Sequence, residues 1–188
     1  MPAVAKLAGV AASQATLIHS RPALVQELAW RPREFTSVQN EAVKQVNFTF
    51  YNGELFRVAI DYDSSQITGL TAGDMIEAIS ANYGIASKPT SSATLAPALY
   101  GDQQEVLAEW QDAGHRFDLI RGSYGPSFRL VGVLKRLETP FRVATAEAAR
   151  LDEKEAPQRE AERLAKAGEA EKTALEQDRL ANKSKFRP

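Results

Sequence analysis

The chain has 188 residues, 44% of them hydrophobic, a formal net charge of −1 and no cysteine. That size and apolar content suit one domain with an appendage. Near-neutral charge gives no overall basic field for nucleic acid. The lack of cysteine excludes disulfides, thiolate nucleophiles, zinc–thiolate sites and iron–sulfur clusters.

No run approaches the ~18 apolar residues of a membrane-spanning helix. Val4 to Ala15 is rich in small apolar residues, and Ser13-Gln14-Ala15 has the small-x-small form of a cleavage site. Lys6 and Gly9 interrupt it. Two readings stand: the remnant of a signal peptide that starts upstream, or a frayed segment with a short Ala-rich helix. Residues 1–21 are therefore expected to be a flexible N-terminal segment. Between Pro22 and Pro32, the spacing of Leu24, Val25 and Leu28 suits a short helical turn. Trp30 and Phe35 are expected to cover an edge or end of the sheet.

Val46, Phe48 and Phe50 alternate with polar residues, Asn52-Gly53 turns the chain, and Phe56, Val58 and Ile60 alternate again. A two-residue turn pairs Phe50 with Leu55 and sends the two apolar trios to opposite faces. A three-residue loop, Tyr51 to Gly53, pairs Phe48 with Phe56 and Val46 with Val58, and all six share one face. A sheet buried on one side favours the second register. Thr71 with Asp74 three residues on then forms a capping box. Met75, Ile76, Ile79 and Tyr83 continue at helical spacing, and Gly84 suits the end of that helix.

Residues 85–103 read as a long loop, rich in Ser, Thr, Ala and Pro. Strands follow at Val106 to Trp110, Arg116 to Arg121 and Phe128 to Leu137, with turns at Asp112-Ala113-Gly114 and Ser123 to Pro126. Composition changes at Thr139-Pro140, and from Arg150 charged residues of both signs interleave with Ala and Leu. This predicts a long solvated helix stabilised by i,i+4 pairs such as Glu155–Arg159 and Glu162–Lys166. Pro157 should break or kink it, or open a new helix. Leu151, Leu164, Leu175 and Leu180 keep no heptad, which argues against a coiled coil.

The expected architecture is α+β: an antiparallel sheet of about five strands, ββα then βββ, with one helix on one face and a long charged C-terminal helix. The expected divisions are 1–21, a sheet domain at 22–138 and a helical tail at 139–188.

The residues spell no catalytic motif. His19 and His115 are the two histidines, and no G-x-S-x-G elbow accompanies them. Asp61-Tyr62-Asp63 invites a calcium reading, but Gln66 and Ala72 stand where an EF-hand loop needs Gly and Glu. No metal or cofactor is expected. Arg57, Arg121, Arg129, Lys135 and Arg136 are candidates for one outer face of the sheet; a solvated face accounts for them without nucleic acid. If a small ligand or substrate binds, Tyr83, Tyr100, Trp110, His115 and Tyr124 would line a site between the sheet and the 85–103 loop. Arg57, Arg129 and the terminal Phe186 are the candidates for contact with a partner.

The strands around Phe50-Tyr51-Asn52-Gly53-Glu54-Leu55-Phe56-Arg57-Val58 and the helix start Gly69-Leu70-Thr71 with Asp74-Met75-Ile76-Glu77-Ala78 resemble a class of uncharacterised bacterial exported proteins. The Arg150 to Glu160 run is similar to the tail of the same group. The resemblance implies a hairpin–helix sheet domain, a charged helical tail and a periplasmic or secreted address, with no catalytic residues to carry over. The function expected is a non-enzymatic binding or assembly module of the cell envelope, meeting a protein through its tail or sheet edge. The alternatives are a ligand carrier or enzyme, and a cytoplasmic address.

Overall fold

A computed structural model describes residues 1–32, 42–89, 105–122, 127–183 and 185. Phe35, Tyr100, Tyr124, Phe186 and most of the 85–103 loop lie outside the described residues. The chain divides into two compact units, Met1–Thr145 and Ala146–Pro188.

The first unit is α+β. Helix α1 (Pro2–Ala8) leads to a 3-10 turn and then to strands β1 (Thr16–His19), β2 (Val25–Trp30), β3 (Val43–Tyr51) and β4 (Glu54–Tyr62). Helix α2 (Ala72–Tyr83) separates these from β5 (Glu105–Gln111), β6 (His115–Arg121) and β7 (Phe128–Leu134). Helix α3 (Lys135–Lys183) follows β7 directly. The strands form one sheet in the order β1-β2-β3-β4-β7-β6-β5, and every pairing is antiparallel. Two meanders, β1–β4 and β5–β7, thus join where β4 meets β7. Among the described residues no helix is long and apolar enough to cross a membrane.

Among the described residues, seven strands replace the expected five. One of the extra two lies in residues 1–21, expected to be flexible, and the other where a helical turn is expected between Pro22 and Pro32. Val25 and Leu28, spaced as if on a helix, are 2% and 0% exposed on β2. Val25 pairs with Tyr51 and Leu28 with Phe48, so they project from opposite faces. Both faces are covered here, and a strand buried on both sides loses its alternation. β1 is four residues long and mostly exposed, too short to announce itself.

The β3–β4 register also differs from the expected one. Asn52 (φ 50°) and Gly53 (φ 82°) make a two-residue turn in the left-handed region, the geometry that matches the twist of a hairpin. Tyr51 pairs with Glu54 and Phe50 with Leu55; the register then shifts, so Thr49 meets Arg57, Phe48 meets Val58 and Val46 meets Ile60. The bulge absorbs Phe56. Five of the six apolar residues share one face, and Phe56 turns to the other. Phe48 packs with the cluster of Leu28 and Phe50, whereas Phe56 packs with Ala59, Val131 and Val133.

The sheet is therefore not one-sided. On one face, Ala5 and Val10 cover Leu28 and Phe50. On the same face Ile67 and the α2 residues Met75 and Ile79 cover Ala108, Trp110, Leu119, Phe128 and Leu130. The opposite face holds Phe56, Ala59, Ile120, Val131 and Val133, covered by Leu137 and Phe141 from the first turns of α3. The Phe141 ring stacks on Phe56 with centroids 4.4 Å apart and meets Tyr51 edge-on at 6.2 Å. The last strand stops at Leu134 rather than Leu137. Lys135 and Arg136 consequently lie on a helix, not on the outer face of the sheet.

The start of α2 is as the sequence predicts. Thr71 Oγ1 accepts from the Asp74 backbone N–H at 3.2 Å, and the Asp74 carboxylate accepts from the Thr71 N–H at 2.7 Å. These bonds hold the Asp74 carboxyl below the usual carboxylate range. Thr71→Ala should lower stability by about 1 kcal/mol, and Thr71→Ser should cost little. Urea unfolding checks this; equal midpoints for Ala and wild type would mean that packing of Met75 and Ile79 alone holds the helix start.

In the second unit, α3 is helical to Lys183, through Pro157 rather than broken there. From Ala149 to Lys183 no residue is buried. Leu164, Leu175 and Leu180 are 58%, 62% and 55% exposed. Ion pairs one turn apart line the surface: Arg159–Glu155 at 3.0 Å, Arg163–Glu160 at 2.7 Å and Arg179–Glu176 at 2.6 Å. The pair expected for Glu155 is thus present.

Candidate functional site

The ligand-lining candidates gather partly. The Tyr83 ring, at the end of α2, lies 4.8 Å from Phe117. Trp110 is the cross-strand partner of Phe117, so Tyr83 and Trp110 flank one aromatic side chain. Trp110 is 2% exposed. Its indole N–H donates to the Gly84 carbonyl at 3.0 Å and lies 3.2 Å from Ser80 Oγ. Its polar atom is thus already bonded to the C-terminal end of α2, and its ring fills the core beneath that helix. Burial, with a smaller contribution from Tyr83, pushes the Tyr62 hydroxyl up from its ordinary pKa. Gly132, on β7, leaves room for Phe117: a Cβ placed there would stand 2.7 Å from Phe117 Cε1.

His115 sits at the exposed start of β6. Asp112 Oδ1 accepts the backbone N–H groups of Gly114 and His115 at 2.7 and 2.6 Å, while Oδ2 lies 3.4 Å from His115 Nδ1. The backbone bonds, that of His115 first, hold the Asp112 carboxyl below its usual range. Asp112 therefore acts first as a turn former.

The partner candidates Arg57 and Arg129 both project from the face that α3 covers, since Arg57 pairs with Thr49 and Arg129 with Asp61. Arg129 Nε donates to Asp61 Oδ1 at 2.5 Å. Arg136 bonds Glu54. Lys135 reaches Gln111 Oε1 at 2.7 Å and the Asp112 carbonyl at 2.6 Å. Arg121 lies 3.8 Å from Glu105 and 5.8 Å from the centre of the Phe128 ring.

One charged cluster escaped the sequence reading. Arg116 donates to Asp118 Oδ2 at 3.1 Å and to Glu138 Oε1 at 2.6 Å. It ties β6 to the first turn of α3. The Asp118 residue is 3% exposed. Burial pushes its carboxyl up; Arg116 opposes that, and the charges of Glu109 and Glu138 add to the rise. Burial acts to lower the Arg116 pKa, but Asp118 and Glu138 together outweigh it and raise it. The arrangement is an ion clamp around a guanidinium that stays charged at any pH the fold meets. The signal that could have found it is Leu137, Phe141 and Ala144 at helical spacing, which marks a helix covering the face that carries Arg116 and Asp118.

The two outer strands differ. β5 is bridged by Ser87, whose N–H donates to the Glu109 carbonyl at 2.8 Å and whose carbonyl accepts from the Glu109 N–H at 3.1 Å. On β1, at the other edge, Leu17 is 55% and Ile18 38% exposed. The chain matches no protein-family model, no curated protein and no solved structure.

Proposed function

We propose that this chain is a non-enzymatic binding or assembly module of the bacterial cell envelope, with a protein as its partner. The carrying observation is the second unit: a helix that buries nothing from Ala149 to Lys183. Exposed ion pairs each contribute at most about 1 kcal/mol, so such a segment adds little to the core and its use lies outside it. The β1 edge, which pairs with no further strand among the described residues, is the sheet's contribution, since such an edge accepts an extended segment from another protein. The envelope address rests on the resemblance to exported proteins.

The test is partner capture from envelope fractions with the full chain and with a chain ending at Thr145. Cross-linked partners should be recovered by the full chain and lost from the shortened one, whose thermal unfolding should remain cooperative. Identical recovery by both, or none by either, would overturn the proposal.

A further inference from the structure

Pro157 stands inside α3 and has no N–H to give, so the Glu153 carbonyl four residues back loses its helical donor. The side chain that spans this gap is Arg159. Its guanidinium donates to Glu155 at 3.0 Å and to Asp152 at 2.8 Å, four and seven residues before it. One cation thus grips two acids on the N-terminal side of the proline. On both sides of the gap the sequence is rich in Ala, Glu, Lys and Arg, the strong helix formers. Arg163–Glu160 and Arg179–Glu176 continue the pairing. Leu164, Leu175 and Leu180 are exposed and keep no heptad, so nothing in the helix calls for a second strand of coiled coil.

We infer that residues 146–183 are one helical spacer, kept continuous across Pro157 by the Arg159 grip on Asp152 and Glu155. At about 1.5 Å per residue the rod is about 57 Å long. It sets a fixed distance along its own axis between its base and whatever binds near its end. The inference deepens the assembly reading and rests on it for its use, but its geometry is tested separately.

The chain has no cysteine, so spin labels can be confined to Ala149→Cys and Gln177→Cys, both at exposed positions. Pulsed dipolar spectroscopy on the full chain in physiological salt should give one narrow distance population. A continuous helix places the two backbone positions about 42 Å apart. Arg159→Gln should add a broader, shorter population, and Pro157→Ala in that background should remove it. A wild-type distribution spread around roughly 30 Å, the span of a flexible chain of that length, would overturn the rod. A distribution untouched by Arg159→Gln would overturn the role given to Arg159. If the rod stands while truncation at Thr145 leaves partner capture intact, the assembly reading fails and the geometry survives.

Discussion

Gly132→Val should destabilise the first unit by about 1–3 kcal/mol, the usual cost of overpacking a filled site. Valine favours strands and glycine weakens them, which by itself would stabilise the variant by up to about 1 kcal/mol. Contact geometry decides the sign. A Cβ at Gly132 would stand 2.7 and 2.9 Å from two atoms of the Phe117 ring. That ring is the cross-strand neighbour of Gly132 and is backed by Tyr83 at 4.8 Å. It cannot yield without disturbing the packing at the end of α2. Phe117→Ala alone should also destabilise, through lost burial. The double variant should be more stable than the two single costs predict, because removing the ring removes the clash. Urea unfolding of the four proteins gives the coupling energy. Simple additivity would show that Phe117 moves aside freely and that the glycine is incidental.

The same region shows what the sequence could and could not display. The capped helix from Ala72 to Tyr83 and the β5–β6 hairpin rest on local signals: a side chain accepting a nearby N–H, a turn residue, a period of 2 or 3.6. Those were legible. β2 was not, because Val25 and Leu28 are buried on opposite faces and their spacing mimics a helix. The bulge at Phe56 was not, because it depends on Phe141 arriving from 85 residues away to stack on that ring. The end of β7 was misplaced for a related reason. Leu134 and Leu137 both look inward, one half-buried at the end of a strand and the other from the first turn of a helix. Once the first turns of α3 are read as a cover, the outer face of the sheet ceases to be a solvated display of arginines. Arg116, Arg129 and Arg136 then each have an acid beside them. Among the site candidates, Tyr83 and Trp110 lie on either side of Phe117. Asp118 gives no local signal of burial, because the face of β6 that carries it is covered only by the first turns of α3.

Arg116→Met should cost about 3–5 kcal/mol near neutral pH, the range for leaving a buried charge without its partner. The two acids it abandons are not equal. The Glu138 side chain is 37% exposed and can be hydrated, whereas that of Asp118 is 4% exposed and cannot. The loss should therefore follow the ionisation of Asp118. In the wild type the Asp118 carboxyl is already raised above its ordinary value, by burial first. A raised carboxyl keeps its proton in the fold after the unfolded chain has lost it. Stability consequently falls as pH rises from the unfolded value, about 3.9, through the raised folded one, and is flat beyond. Without Arg116 the attraction that opposes burial is gone. The folded pKa rises further, so the fall is deeper and extends to higher pH. The difference between wild type and Arg116→Met should thus be smallest below about pH 4 and should grow towards neutrality. Adding Asp118→Asn removes the charge that burial penalises. It should recover more than half of the loss at pH 7 and abolish the pH slope that Arg116→Met introduces. Denaturation midpoints at several pH values would read both effects. A loss that stayed constant from acid to neutral pH would place the contribution of Arg116 in its tie to Glu138 and the base of α3, with Asp118 a bystander.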